Sequence, residues 1–393
     1  MISIEEAQAR IFALKAPVAV ETVPLLQAAG RWAAKDVEAL RMQPARDLSA
    51  MDGYAVRFAD AAGPWRVIGE SAAGKRFPGS VGAGETVRIF TGAVVPEGAD
   101  SVIIQENVAR NGDTVMLTGD ALTKIGQNVR RQGTDFRQGA KLIAKGAELH
   151  ARHIALAAMA GHGALAVRRR LKAAVVSTGN ELVAPGQACA NDQIPSSNDV
   201  MLAIMLRDMA VVVTIVPAVA DDLATLAAQF TALENQDIIV TTGGASVGDH
   251  DLIAPALQAA GGQIDFWKIA MRPGKPVIAG TIGDAIVLGL PGNPVSAYVT
   301  AFLFLLPLIR HLGGASKPLP ERLTAILGED LPANGPRTDH IRASLTGGII
   351  TPIGTNDSAM LAALSLSNTL IIRDINSGQL NYGSEVSYYI LPN

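Results

Sequence analysis

Two carboxylates, Asp249 and Asp251, close a glycine- and hydroxyl-rich turn running from Thr241 to Asp251. A β-branched run, Ile238-Ile239-Val240, precedes the turn and an apolar helix-like segment, Leu252 to Ala260, follows it. A strand, a bare-backbone loop and a helix start expose unpaired N–H groups, which suit an anion. Two acids beside such a loop exclude a bare anion unless a cation lies between them. The chemistry implied is a phosphate held together with a divalent metal. Two further turns have the same address, between a strand and a helix: Ser177-Thr178-Gly179-Asn180-Glu181 and Leu290-Pro291-Gly292-Asn293-Pro294-Val295-Ser296. In the second, Asn293 is placed as an N-cap with Pro294 at the first helical position.

Acids accompany these turns: Glu181, Asp221, Asp222, Asp249 and Asp251. Mg²⁺ takes only one or two protein carboxylates beside phosphate oxygens and water, so some of these acids have other work. Asp222 fits the start of a helix equally well. Cations follow in Trp267 to Pro276, where Lys268, Arg272 and Lys275 flank a proline-stiffened turn. An Arg fork and Lys point charges in such a turn suit an oxyanion. Glu148, His150 and His153 have the look of a metal cluster, but their helical spacing reads better as a polar helix face, with no further ligand nearby. His250 lies inside the first turn. No Walker A, Rossmann or Gly-x-Ser-x-Gly pattern occurs.

These turns need a sheet to hold them. From Ala173 onward, strands (Ala173–Ser177, Val211–Val216, Ile238–Thr241, Ile264–Ile269, Ala285–Leu288) alternate with helices (Asp199–Met209, Asp221–Leu233, Leu252–Ala260, Val295–Leu312). That alternation predicts a doubly wound, largely parallel sheet, which binds ligands at its carboxyl edge. Before it, short β-type runs at 65–68, 86–90, 102–104 and 114–117 predict a mainly β unit. Ile4–Leu14 reads as a helix capped by Ser3 and Glu6, Leu25–Val37 as a second helix broken at Gly30, and His150–Met159 as a third. After Lys317-Pro318-Leu319-Pro320, runs at 323–327, 341–345, 369–373 and 385–390 predict a small β-rich unit. The expected division is a linking helical/mixed domain (7–40 and 139–170), a mainly β domain (41–138), an α/β domain (171–316) and a C-terminal domain (317–393).

With 393 residues, 49% hydrophobic and 18% charged, the chain is globular and multidomain. A net charge of -3 gives no general case for nucleic-acid binding. The single cysteine, Cys189, excludes an internal disulfide and fits a reducing compartment. The acidic start lacks a signal-peptide pattern, and the apolar run Val295–Ile309 is short of the roughly 20 residues that span a bilayer. A cytoplasmic protein with no membrane partner is expected.

Taken together, ordered motifs make the chain resemble the molybdopterin molybdenumtransferase (MoeA) family, which includes the gephyrin E domain. They are Ser49-Ala50-Met51-Asp52-Gly53-Tyr54-Ala55-Val56, Thr91 to Asp100, Gly126-Gln127-Asn128-Val129-Arg130, Ser177 to Leu182, Thr241 to Asp251, Pro273-Gly274-Lys275-Pro276 and Leu290 to Pro294. The resemblance implies an elongated four-domain homodimer with a MogA-like α/β domain. It implies insertion of molybdate into adenylylated molybdopterin with Mg²⁺, releasing AMP and forming molybdenum cofactor. By this match Asp52 and Thr91, from the partner subunit's β domain, complete a site holding Glu181, Asp221, Asp251, Lys268, Arg272 and Lys275. Thr178, Gly179, Thr242, Gly243, Gly244, Ser246, Gly248, Pro291 and Gly292 hold substrate, and Asn293 and Ser296 shape the oxyanion turn. Arg342 and Ser358 are the matching positions in the C-terminal domain.

The mechanism expected has Mg²⁺ on some of Glu181, Asp249 and Asp251, neutralising the pyrophosphate. The protein chiefly positions and neutralises. The chain departs from the family at Pro44 to Leu48, where an aromatic and Asp-Asn are usual, and at Arg272, where some relatives have Lys. The adenylyltransferase that makes the nucleotide-linked pterin, and a gephyrin-like scaffold, are the rival readings. That adenylyltransferase and the acceptor molybdoenzymes are the protein partners expected.

Overall fold

The computed structural model describes residues 1–244, 252–354 and 357–392. The α/β unit is built on a six-stranded sheet. Val211–Val219, Leu171–Thr178, Ile238–Thr242 and Ala285–Leu290 lie side by side and parallel. Pro276–Ile282 and Gln263–Lys268 extend the sheet antiparallel. Pro276–Ile282 was not expected as a strand, because two prolines precede its apolar residues. Pro276 is the strand's first residue, where a missing N–H costs no interior ladder bond.

Alternate residues of the central strands feed opposite cores, as strand geometry requires. Ala173, Val175, Ile238, Val240 and Leu288 face one core, with Leu202 and Leu206 of the helix Asn198–Arg207 and the final long helix. Ala174, Val176, Ile239 and Val287 face the other, with Leu226 and Phe230 of Leu223–Ala232 and Ile253 and Leu257 of Ile253–Ala259. The sheet is therefore covered on both sides. Ile4, Ala7 and Ile11 also enter the first core, so the first helix packs on this unit, although its sequence position groups it with the linking segments.

The final helix runs Pro294–Leu312 and is mostly buried. It is α-helical to Thr300, widens to a π turn over Ala301–Leu305, and is α-helical again from Leu306. Pro307 explains the widening, since its ring removes a donor and crowds the carbonyl four residues earlier. That carbonyl, Leu303 O, accepts instead from the buried Gln8 side chain at 2.9 Å.

The linking segments form two small antiparallel pairs, Val20–Pro24 with Ala164–Arg168 and Val37–Glu38 with Lys141–Ile143. The expected helix over 25–37 is a correction: only Leu25–Ala28 is helical. Gly30 takes a positive φ, and Trp32 and Ala33 then form β-bridges, so extended pairing replaces a second turn. In the mainly β unit, Gly53–Val56 lies between Glu85–Ile89 and Ser101–Ile104 in a six-stranded sheet.

The C-terminal strands Thr338–Thr346, Ile349–Pro352, Leu323–Leu327, Glu385–Ile390 and Thr369–Arg373 pair in that order. The last pairs back on the first, which closes a small barrel. A short strand from the α/β unit, Met271–Arg272, pairs in parallel with Thr338 and Asp339. The barrel is thus stitched to the α/β unit at the cationic turn.

Candidate active site

The three strand-end turns converge. Leu171–Thr178, Ile238–Thr242 and Ala285–Leu290 are successive parallel neighbours, and the register aligns Ser177 with Thr242 and Thr242 with Leu290. Gly243, at φ 92°, folds its turn against Thr178; a Cβ there would lie 2.2 Å from the Thr178 carbonyl. Gly244, also at positive φ, follows directly. Thr242 Oγ1 donates to Pro291 O at 3.2 Å.

Asn198, which sequence reading passed over, ties two of the turns together. Its Nδ2 donates to Thr242 Oγ1 at 2.8 Å and to Gly292 O at 2.7 Å. A carbonyl only accepts, so the amide orientation is determined and Oδ1 points elsewhere. Asn198 Oδ1, Ser177 Oγ, Thr178 Oγ1 and Thr241 Oγ1 are buried without a partner. Unsatisfied buried polar atoms are costly, and a group of them at the carboxyl edge of a parallel sheet suits a polar ligand.

The acids divide by task. Asp221 Oδ2 accepts from Asn180 N at 3.3 Å, and Asn180 Oδ1 accepts from Asp221 N at 3.2 Å, which shapes the turn carrying Gly179 and Glu181. Asp222 caps Leu223–Ala232 by accepting from Thr225 Oγ1 and N, and these bonds hold its carboxyl below the usual range. Glu181 is exposed, and its carboxylate lies over Gly179. Ser246, Gly248, Asp249 and Asp251, with His250, lie outside the described residues. Among the described residues no group of three or more His, Cys, Asp or Glu is placed to hold a metal ion. His150 and His153 form a helix cap, with His153 Nδ1 accepting from His150 N at 3.2 Å.

The cations flank one turn. Register pairs Lys268 with Pro276, which brings Lys268 near Lys275. Arg272 meets the barrel, where its guanidinium makes an ion pair with Asp339. A small cavity opens there between the two units, lined by Arg272, Val295, Asp339, His340, Arg342 and Ser358 among others. Asn293 stands at the N-cap position, but its Nδ2 donates to Ser358 Oγ at 3.0 Å instead of capping its own helix. Val295 N donates to Ser358 O at 3.1 Å. Arg342 is buried, and desolvation pushes its guanidinium pKa down. It donates to the carbonyls of Met360 and Asp357, which fixes the turn bearing Ser358. Ser296 is buried one residue beyond Val295, and its carbonyl accepts from Thr300 Oγ1 at 2.7 Å. His340 stacks on Tyr389 with ring centroids 6.2 Å apart. Burial pushes its imidazole down to about 4, so it is neutral near pH 7. A larger open groove of about 530 Å³, lined by Trp32, Phe302 and Arg310 among others, includes none of the predicted residues.

Asp52 and Thr91 form a separate pair. Asp52 Oδ1 accepts from Thr91 N at 2.7 Å and from Thr91 Oγ1 at 2.8 Å. These bonds, the backbone one first, hold the carboxyl below the ordinary aspartate range. Gly53 makes the placement possible, since a Cβ there would lie 2.0 Å from Ile103 O on the next strand. Among the described residues, no hydrogen bond, ion pair or strand pairing joins residues 41–138 to residues 171–316. One chain therefore does not bring Asp52 to the cationic turn through any such link.

Three family models match the chain: the MoeA N-terminal region (domain I and II) over residues 2–161, a probable molybdopterin binding domain over 174–311, and the MoeA C-terminal region (domain IV) over 324–391. A molybdopterin molybdenumtransferase of Haemophilus influenzae is 35% identical, covering 98% of this chain and 98% of the relative. One from a Nostoc species is 33% identical over 95% of this chain and 89% of its own length. Among solved structures, a molybdopterin biosynthesis MoeA protein from Pyrococcus horikosii superposes with a TM-score of 0.83 at 29% identity, covering 100% of both chains.

Proposed function

The chain belongs to the MoeA family of molybdopterin molybdenumtransferases, and from that premise we propose that its cleft inserts molybdate into adenylylated molybdopterin and releases AMP. It is a transferase of molybdenum cofactor biosynthesis. One observation carries the finer reading: Arg272, Arg342 and Ser358 line one cavity between the α/β sheet and the barrel, and Asn293 of a strand-end turn donates to Ser358. A tetrahedral dianion needs fixed donors and cations close to the nucleotide-linked pterin. Arg272 and Lys275 supply charge, Ser358 and Asn293 supply oriented polar atoms, and Arg342 holds the Ser358 turn. The turns at 177–181, 242–244 and 291–293 take the substrate, with the unpartnered hydroxyls as its hydrogen-bond partners.

Some of Glu181, Asp249 and Asp251 would hold Mg²⁺; an all-oxygen donor set with one or two carboxylates fits that ion. When bound, the ion neutralises pyrophosphate charge. The residues around it orient the phosphoanhydride for attack on phosphorus by a molybdate oxygen or a water, which expels AMP; the two dithiolene sulfurs take molybdenum, and their protons leave with one molybdate oxygen as water. Asp52 enters from a second copy of the chain. Its Oδ1 is committed to Thr91, which leaves Oδ2 to face the substrate. Exposed apolar side chains support a homodimer: Val200 and Ile204 on Asn198–Arg207, and Ile215 on the edge strand Val211–Val219. We place the reaction in the cytoplasm. The test is AMP release from adenylylated molybdopterin with Mg²⁺. Release that requires molybdate supports the reading. ATP consumption with free molybdopterin, and no molybdate-dependent release, would favour the adenylyltransferase instead.

A further inference from the structure

We propose that Asp339 is a positioning residue, through which the C-terminal barrel aims Arg272 into the oxyanion cavity and so sets the site's affinity for molybdate. The proposal rests on the reading of that cavity as the molybdate site.

Backbone pairing brings the two residues together. Arg272 is register partner to Asp339 across the parallel pairing of Met271–Arg272 with Thr338–Thr346. Thr338 N donates to Ala270 O at 2.9 Å and extends the same contact. Asp339 is only 7% exposed at its side chain, whereas Arg272 is 42% exposed. The carboxylate is thus rooted in the barrel and the guanidinium reaches out of it. On its other side Asp339 is register partner to Arg373, which is buried and donates to Gly378 O and Ser377 Oγ. The charge of Arg373 acts on the Asp339 carboxylate, and a buried carboxylate needs such opposite charge.

A guanidinium has five N–H donors in a planar fork. The Asp339 pair uses the Nη2 edge. The remaining donors stay available on the wall that Arg342 and Ser358 share. An unpaired Arg would lose rotamer freedom on gripping a ligand. Holding it beforehand removes part of that cost. A plain interdomain tie is the competing role for Asp339, and the two roles predict different couplings.

The experiment is a double-mutant cycle on the full chain, titrated calorimetrically with sodium molybdate alone. Asp339→Asn keeps shape and strand pairing and removes the charge. With Arg272 present it is expected to weaken molybdate binding about tenfold, as loss of an outer partner commonly does. In an Arg272→Ala background the same change is expected to cost nothing further. An equal loss in both backgrounds would make Asp339 a structural tie and overturn the proposal, as would no loss with Arg272 present. Should Asp339→Asn unfold the barrel, Asp339→Glu keeps the charge and shifts only the guanidinium. Unchanged affinity in that folded variant also overturns the proposal. Arg272→Ala with wild-type affinity would instead remove the cavity from the molybdate site, a separate outcome visible in the same cycle.

Discussion

The cleft at the sheet edge and the Asp52–Thr91 pair are both tightly built, but they are built differently. In the cleft, turns from distant parts of the chain bond to one another: Asn198 joins Thr242 to Gly292, Asn293 joins Ser358, and Arg272 joins Asp339. The Asp52–Thr91 pair is complete within its own unit and, among the described residues, shares no such bond with the cleft. Knit groups bind a ligand as a unit, whereas an isolated pair acts only where another surface presents the ligand. Under the proposed function, the cleft binds and the pair supplies a supplementary catalytic charge across a subunit boundary.

The largest expected effect separates those assignments. Asp52→Ala is expected to lower molybdate-dependent AMP release by about a hundredfold or more, the scale for one preorganised electrostatic group. Molybdate affinity, measured by calorimetry, should stay as in the wild type. Loss of affinity in this variant would merge the two regions into one binding site.

A smaller effect concerns the barrel wall of the cleft. His340 is neutral when folded because its pKa is driven down to about 4, while an unfolded histidine titrates near 6.5. The unfolded chain therefore binds the extra proton first as pH falls. Stability contributed by the neutral imidazole is full above pH 6.5 and is lost as pH drops from 6.5 towards 4, by up to roughly 3 kcal/mol. Denaturation followed across this window should show the decline, and His340→Phe should flatten it. The Asp52–Thr91 unit has no such group, so its unfolding should not follow the same curve.

The smallest effect tests whether proximity to the cleft suffices for a role in it. Asp222 adjoins Asp221 but caps a helix. Asp222→Ala should lower stability through the lost helix cap and leave AMP release unchanged. A large loss of turnover at unchanged stability would return Asp222 to the site.

Much of the cleft was legible in the sequence because glycine and hydroxyl residues placed after β-branched runs have few physical uses. Parallel neighbours then force their turns together. The cationic turn was legible as charge, but its pairing was not. Asp339 belongs to a different unit, and local spacing does not reveal that one strand of the α/β unit extends the barrel. Asn198 was missed because Ser196-Ser197-Asn198-Asp199 reads as an ordinary helix start. Its function depends on two carbonyl-edge turns that meet only in three dimensions. Asp52 and Thr91 had no pattern of their own and were reached only through family resemblance. Gly53 was the physical clue, since a glycine inside an apolar strand marks a close backbone approach. The helix expected over 25–37 failed because Gly30 turns the chain and tertiary bridges at Trp32 and Ala33 override weak local preference.

The division between the two regions is tested most directly by mixing two inactive variants, Asp52→Ala and Arg272→Ala, under conditions that exchange subunits. If Asp52 serves the partner's cleft, each mixed dimer has one site with both residues intact. Molybdate-dependent AMP release should then return to roughly a quarter of the wild-type level under random exchange. A mixture that stays as inactive as its separate components, with exchange verified, would contradict the shared site.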